Sequence, residues 1–324
     1  MSELLTRCEV CGGLLDEEDL FCANCGTEAP HDGSSADQPQ SALLTHSFSC
    51  QGCGASMSYD ASAGALRCPF CGSEELLRKE AAKTLAPHEV IPFVMTQEQA
   101  IAAMREWLGR SFWRPGDLAR EAQVHTMTKV YVPYWIFTAK THTYWTADSS
   151  RTPPGARGDW YPLFGEHRGE YRGLLVSASG ALSQAETGNL APFRLHEGLP
   201  LEQVDLRNVT CEEFSMPRKF ARPLARQGIE TAESQTCEQY VPGNCRNMHV
   251  NVLISGLSSY PVLLPVWIMA YRYKGKVYRF LVNGQTGKAT GGAPWSWPKI
   301  IGAALLAIVA AVVVLAIIGA IAAR

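Results

Sequence analysis

The chain has 324 residues, of which 46% are hydrophobic and 19% are charged, and its formal net charge at pH 7 is -2. This composition is typical of a folded protein of two or three domains with an apolar addition, and it excludes a largely disordered chain. The near-neutral charge gives no general attraction to nucleic acid or to an anionic membrane surface, so binding to either would need a local basic patch.

The cysteines indicate metal binding. Eight of the eleven form four Cys-x-x-Cys pairs, and no secretory signal follows Met1, which favours thiolates on metal in a reducing compartment over a disulfide framework. Each pair is followed by Gly, which suits a tight turn that points two sulfurs at one ion. We therefore expect the N-terminal part of the chain to lie in the cytoplasm.

Two such turns with a short hairpin between them have the geometry of a zinc ribbon, and the sequence predicts two of these. Residues 1–28 would form the first ribbon and residues 46–76 the second, each around one structural Zn2+ with no open coordination position. The ligands would be Cys8, Cys11, Cys22 and Cys25 in the first ribbon and Cys50, Cys53, Cys68 and Cys71 in the second. Free thiols, an iron–sulfur cluster and a redox pair are the alternatives, although a redox pair requires a βαβ setting that the flanking sequence lacks.

No other segment carries a convincing catalytic signature. Cys237, Cys245 and His249 could ligate a third metal ion, but buried thiols and an ordinary histidine are the simpler interpretation. The segment NGQTGKAT at 283–290 departs from a phosphate-binding loop at two positions. We expect a binding protein with no enzyme activity.

Residues 29–45 are small, polar and Pro-containing, which is typical of a linker. Residues 85–126 form a helical segment, because apolar residues recur there at helical spacing behind a capping box of Thr96 and Gln99. A turn at 114–117 leads to a second, short helical stretch.

A β-rich domain with an internal repeat is predicted for residues 128–294. VPYWIF at 132–137 matches LPVWIM at 264–269, which indicates two copies of one β unit. Pro133 and Pro265 are expected at strand starts or at an edge.

The two repeated segments have different surroundings. The first is read as a strand pair, whereas Lys-Gly and Asn-Gly turns predict hairpins after the second. Between them, residues 150–235 favour irregular loops, and a helix is expected between Pro217 and Glu238.

The C-terminal end predicts a membrane helix at 299–323. Ile300 to Ala323 are 24 residues without a charge, which make a helix of about 36 Å against about 30 Å of hydrocarbon. The alternative is a buried core helix. Trp295 and Trp297 precede the helix where an interfacial belt belongs, and lysines upstream place its N-terminal side in the cytoplasm.

The charges of the first ribbon disfavour nucleic acid. Seven acids face one base, Arg7, in residues 1–30, so this surface repels phosphate. Four of the acids, Asp16 to Asp19, form a loop suited to a protein partner with a basic patch. A membrane-tethered nucleic-acid-binding protein is the second reading, and an enzyme or assembly factor in the β domain is the third.

The ribbons, the segments IPFVMTQEQAIAAMREWL and YVPYWIFTAKT, the hairpin LLPVWIMAYRYKGKVYRFLVNGQTGK and the apolar tail occur in this order. In this the chain resembles a bacterial family of membrane-anchored, TFIIB-type zinc-ribbon proteins that are often labelled primosomal-helicase-like. Some similar proteins belong to the phage-shock and SPFH (stomatin/flotillin-like) membrane-stress neighbourhood, where they recruit peripheral proteins. The resemblance implies a partner of that type, although the double ribbon departs from the family pattern.

The sequence thus predicts an α+β multidomain chain with two small zinc ribbons, a helix, a duplicated β-rich domain and one C-terminal transmembrane helix. We expect a single-pass cell-membrane adaptor that recruits cytoplasmic protein partners.

Overall fold

The computed structural model describes residues 6–8, 10, 12, 14–15, 46–59, 67–79, 85, 87–204, 206 and 209–322. Within them the chain is a mixed α+β protein, as predicted. A ten-stranded sheet packs against helices and is followed by an apolar C-terminal helix.

The strands are β1 (Thr6–Arg7), β2 (Leu14–Leu15), β3 (His46–Cys50), β4 (Ser56–Tyr59), β5 (Leu76–Lys79), β6 (Glu89–Val90), β7 (Gln123–Ser149), β8 (Tyr161–Ser177), β9 (Thr210–Glu212), β10 (Cys245–Tyr273), β11 (Lys276–Asn283) and β12 (Ala289–Gly291). The helices are α1 (Gln97–Gly109), α2 (Leu118–Glu121), α3 (Gln184–Asn189), α4 (Arg218–Glu238) and α5 (Trp297–Ala322). The helix expected between Pro217 and Glu238 is α4.

Helix α1 begins at the predicted capping box. The Thr96 hydroxyl accepts from the backbone N–H of Gln99 at 3.3 Å, and the Gln99 side chain accepts from the backbone N–H of Thr96 at 2.9 Å. Both bonds satisfy backbone donors that a helix start leaves without an intrahelical partner. Ala100, Met104 and Leu108 are buried, and they pack against β10 and β11.

The centre of the sheet is a long antiparallel pair, β7 with β10. The strand order is β12-β11-β10-β7-β9-β4-β3-β5, with β6 beside β10 and β8 beside β7. The two repeated segments meet in the middle of this pair, where Val132 lies opposite Leu264. The first segment therefore belongs to one continuous strand of 27 residues, and the predicted strand pair is wrong.

Pro133 and Pro265 lie inside these long strands, so their predicted place at strand starts or edges is also wrong. The carbonyl of Pro133 accepts from the N–H of Ala178 at 2.9 Å, and that of Pro265 accepts from Gly284 at 2.8 Å. Since the nitrogen and oxygen of a β residue point to the same side, each imide nitrogen faces away from the central pair. On that side β7 pairs first with β9 and then with β8, and β10 pairs first with β6 and then with β11. The prolines sit at these junctions, where no ladder bond needs their missing N–H.

Strand β8 lies within the segment 150–235, which was predicted to form irregular loops. It pairs with β7 over most of its length, and its residues alternate between exposed and half-buried up to Arg172. Gly165, Gly169 and Gly173 recur in it at every fourth position. Glycine is depleted in strands, and this composition concealed the strand.

The two parallel contacts in the sheet each connect distant parts of the chain. β6 precedes α1 and pairs with β10, whereas β9 precedes α4 and pairs with β7. Beside the first contact, Trp267 Nε1 donates to the carbonyl of Met95 at 3.3 Å; beside the second, Trp135 Nε1 donates to that of Met216 at 2.8 Å. A phenylalanine two residues before each methionine packs edge-on against the same indole.

The second cysteine module is part of this sheet. Its strands β3, β4 and β5 extend the sheet because β4 pairs with β9. Met57 and Phe70 are buried in the same core cluster as Val132 and Leu264. The module is therefore supported by the β domain as well as by its own contacts.

Candidate metal centre and apolar C-terminal helix

Two identical turns build the cysteine site of residues 46–76. In the first, Gly54 N–H donates to the carbonyl of Cys50 at 2.9 Å; in the second, Gly72 N–H donates to that of Cys68 at 2.8 Å. Both glycines have a positive φ, 77° and 78°, which an L side chain rarely adopts. This explains the Gly after the two Cys-x-x-Cys pairs of this site.

The turns bring four sulfurs together. Cys50 Sγ lies 3.5 Å from Cys71 Sγ, and Cys53 Sγ lies 3.6 Å from Cys68 Sγ. All four ligand atoms lie within 4.8 Å of one another. Four thiolates at about 2.3 Å from a tetrahedral zinc ion would be about 3.8 Å apart, so the residues fit this ion.

Burial and hydrogen bonds shift the pKa values of three of these thiols. It raises the pKa of the Cys53 thiol to about 11 and raises that of Cys68 further. Burial also acts to raise the pKa of Cys50, but hydrogen bonds to its sulfur, including one from the backbone N–H of Cys53, bring it down to about 7. Because zinc binds thiolates, its binding must displace protons from these groups.

The described part of the first module repeats one feature of these turns. Gly12 N–H donates to the carbonyl of Cys8 at 2.8 Å, and the φ of Gly12 is 68°. Cys8 is buried, and Thr6 pairs with Leu15 across β1 and β2. The other three predicted ligands, Cys11, Cys22 and Cys25, and the acidic loop at 16–19 lie outside the described residues.

A second group of ligand-type side chains surrounds Glu233 of α4. Among the described residues, the ligand atom of Cys237 lies close to those of Glu233 and His167. The sequence had offered a different set, in which Cys237 would share a metal ion with Cys245 and His249. Sequence reasoning missed His167 and Glu233. The sequence did contain one sign of this cluster, because Glu233 is a charged residue in the buried stripe of α4, which recurs at every fourth position.

The carboxylate of Glu233 is fully hydrogen-bonded. Oε1 accepts from Thr141 at 2.6 Å and from Tyr171 at 2.8 Å, and Oε2 accepts from Thr143 at 2.8 Å and contacts His167 Nδ1 at 2.8 Å. Burial acts to raise the pKa of Glu233, but these bonds together hold it below its usual range. With no lone pair left for a metal, the cluster serves to fix α4 to β7 and β8.

Helix α5 is long and apolar enough to cross a membrane. Within the 20 residues from Trp297 to Ala316, an 18-residue window has a mean hydropathy of 2.7, and none of that window is buried against the rest of the described chain. This exposure does not fit the alternative of a core helix.

The start of α5 is fixed to the loop that follows α1. Lys299 Nζ donates to the carbonyls of Phe112 at 3.1 Å and Arg114 at 2.9 Å, and Ser296 N–H donates to Trp113 at 2.8 Å. The exposed aromatic side chains around this junction are Phe112, Trp113, Trp295 and Trp297. Aromatic rings of this kind favour the interface of a bilayer. The sequence indicated Trp295 and Trp297 as interfacial residues, but it did not indicate Phe112 and Trp113 of the loop.

Comparison with known proteins gives one relative. The Bacillus subtilis (strain 168) protein named "Uncharacterized protein YdjG" is 26% identical to this chain over 314 residues, and the match covers 78% of this chain and 92% of the relative. No family model matches the chain. No solved structure matches it either.

Proposed function

We propose that this chain is a membrane-anchored zinc-ribbon adaptor that recruits cytoplasmic protein partners to the membrane. The observation that carries the proposal is that one folded domain holds the four converging cysteines and leads directly into the apolar helix. The sheet that carries the four cysteines leads into an apolar helix with no buried residue in its apolar window, and the first turn of this helix is hydrogen-bonded to the domain.

The metal in this proposal is zinc, bound as two structural ions. Support for the second ribbon is its four converging sulfurs, which leave no open position for catalysis. Support for the first ribbon is that Cys8 and Gly12 repeat the bond of the other two turns.

The membrane topology we propose is a single span with the N-terminal side in the cytoplasm. Lysines lie at 274, 276, 288 and 299, before the uncharged stretch that begins at Ile300, which agrees with the positive-inside rule. Reduced thiolate sites also belong in the cytoplasm.

We also propose that the β domain arose from two copies of one unit, each consisting of a short strand, a helix and a long strand followed by another strand. The support is the reciprocal geometry of the two halves. Each short strand pairs in parallel with the long strand of the other half, and each long strand sends a tryptophan to the residue before the other half's helix cap. The result is a single continuous sheet, which suits an adaptor.

The partner in this proposal is a cytoplasmic protein with a basic patch, of the SPFH or phage-shock type that the family resemblance implies. The docking surface that we propose on this chain is the acidic segment Asp16 to Asp19, whose four negative charges would speed association by steering. The relative's name carries no information on this point.

Proximity labelling in the native cell tests the proposal. A labelling enzyme fused before Met1 of the full chain is compared with the same enzyme fused to residues 295–324 alone. We expect the full chain to enrich a set of cytoplasmic membrane-stress proteins that the tail alone does not label. Identical labelling would refute the adaptor function, and enrichment of nucleoid proteins with salt-dependent DNA binding would favour the nucleic-acid reading.

The docking loop is tested by neutralising it, with Asp16 and Asp19 changed to Asn and Glu17 and Glu18 to Gln. Recruitment of the enriched partner should weaken and depend less steeply on salt. A control with the same net charge carries four other exposed acids changed to Gln: Glu75, Glu202, Glu230 and Glu238. Equal recruitment by the two variants would remove this loop from the mechanism.

A further inference from the structure

Strand β8 is an open edge of the sheet. It pairs with β7 on one side, and on its other side no strand of the described residues pairs with it. An edge of this length presents a row of unpaired main-chain groups that can accept another strand unless side chains prevent it.

Four consecutive exposed positions of β8 alternate in charge. Glu166, Arg168, Glu170 and Arg172 are all exposed and occupy every second position, so they share the face that points away from α4. The charges have contacts within the chain, as Glu166 lies 2.7 Å from His142 and Glu170 lies 2.9 Å from Arg172. These contacts are solvent-exposed, and such pairs contribute little to stability, so the side chains remain available to a second strand.

We propose that two copies of this chain associate through β8, with the two strands antiparallel and a two-fold axis at Gly169. In this register Glu166 lies opposite Arg172 of the second copy, and Arg168 lies opposite its Glu170. The two-fold axis repeats both pairs, so four pairs of opposite charges meet across the new ladder. The edge main-chain groups of both copies become hydrogen-bonded at the same time.

The charge pattern selects this register against its neighbours. Moving the axis by one residue, to 168 or 170, places glutamate opposite glutamate or arginine opposite arginine. A parallel, in-register pairing would place every charge opposite its own kind. The occupant that the strand fits is therefore a second copy of itself, held antiparallel about Gly169.

Charge exchange tests this pairing directly on the full chain in detergent. One variant carries Glu166→Arg and Glu170→Arg, and the other carries Arg168→Glu and Arg172→Glu. The wild type should be a dimer in analytical ultracentrifugation, and each variant alone should associate at least about tenfold more weakly. A one-to-one mixture should restore dimers that contain one copy of each variant, as seen with two different affinity tags.

The mixture separates this edge from association through the apolar tail, which all variants share. A control with Arg226→Glu and Glu230→Arg, two exposed residues on α4, should remain dimeric. Thermal unfolding of each variant verifies that the domain is folded. A monomeric wild type, variants that dimerise alone as well as the wild type does, or folded variants that fail to pair when mixed would each overturn the proposal.

Discussion

Lys299, in the first turn of α5, donates from Nζ to the carbonyl oxygen of Arg114 at 2.9 Å. It is the last charged residue before 24 uncharged ones. The boundary between the polar domain and the apolar helix is thus held by a side chain that is bonded to the domain.

A chain that ends at Pro298 should be soluble and should keep the fold of the domain. The reason is that none of the apolar window is buried against the domain, so its removal exposes no core. Cell fractionation and thermal unfolding measure this. If the shortened protein aggregates while the full chain stays in the aqueous fraction, α5 is a core helix.

Purified protein should contain two zinc ions per chain, and Cys68→Ser should lose one of them. Because Cys68 and Cys50 belong to the main core cluster, loss of this ion should lower the stability of the β domain too, by several kcal/mol out of the roughly 10 kcal/mol that such an ion contributes. Metal analysis and thermal unfolding measure both effects. Cys211→Ser, which alters a buried thiol outside the tetrad, should keep both ions.

Trp267→Phe and Trp135→Phe should each destabilise the domain more than Trp145→Phe. The first two lose the indole bond to a backbone carbonyl, whereas the Nε1 of Trp145 is buried without a partner among the described residues. All three variants lose a similar ring volume. The difference in destabilisation between the first two variants and Trp145→Phe, about 1–2 kcal/mol, therefore measures the contribution of the indole hydrogen bond. Urea unfolding measures it, and equal losses would show that the bonds contribute nothing.

Glu233→Gln should lower the free energy of unfolding at pH 7 by about 3 kcal/mol, because one amide oxygen cannot serve four donors. The folded pKa of Glu233 lies below its unfolded value. Its contribution is therefore present above about pH 4.3 and is lost as the pH falls through the folded pKa. Urea unfolding of both proteins should show the difference shrinking in acid; a constant difference would contradict a buried carboxylate charge.

Glu212→Gln should have the opposite effect. Burial raises the pKa of Glu212 to about 7, and its Oε1 accepts from Ser179 at 2.8 Å and from two backbone N–H groups. A raised pKa means that stability is lost as the pH rises from about 4.3 through about 7. The neutral variant should exceed the wild type by about 2 kcal/mol at pH 8, and its advantage should shrink toward pH 5. A variant that is less stable than the wild type at pH 8 would exclude this account.

Local sequence signals predicted their elements well. Thr96 and Gln99 marked the start of α1, and the Lys274-Gly275 turn marked the hairpin of β10 and β11. The cysteine spacing marked the four converging sulfurs of Cys50 to Cys71. Each of these signals acts through bonds between residues that are close in the chain, so a single sequence contains it.

Long-range pairing was what the sequence did not contain. Pro133 was predicted at a strand start or at an edge because a proline cannot donate a ladder bond to a neighbouring strand. The junction of β9 and β8 beside it, where no such bond is needed, is visible only in three dimensions. The glycines of β8 concealed that strand. The cluster around Glu233 was not predicted because its hydrogen-bond donors come from two strands that are far from α4 in the sequence. Sites assembled from distant segments leave few marks on any one of them.

The bond from Trp267 to Met95 spans 172 positions of the chain, and this has a consequence for folding. The first strand and helix of the domain cannot complete their contacts until β10 has been synthesised. Contacts this distant in sequence slow folding, since a long loop must close before they form. A nascent chain therefore carries an unfinished sheet edge until β10 has been made, and the apolar helix α5 emerges soon after the strands that complete the sheet. Completion of the sheet and delivery of the apolar helix to the bilayer thus fall in the same short interval of translation.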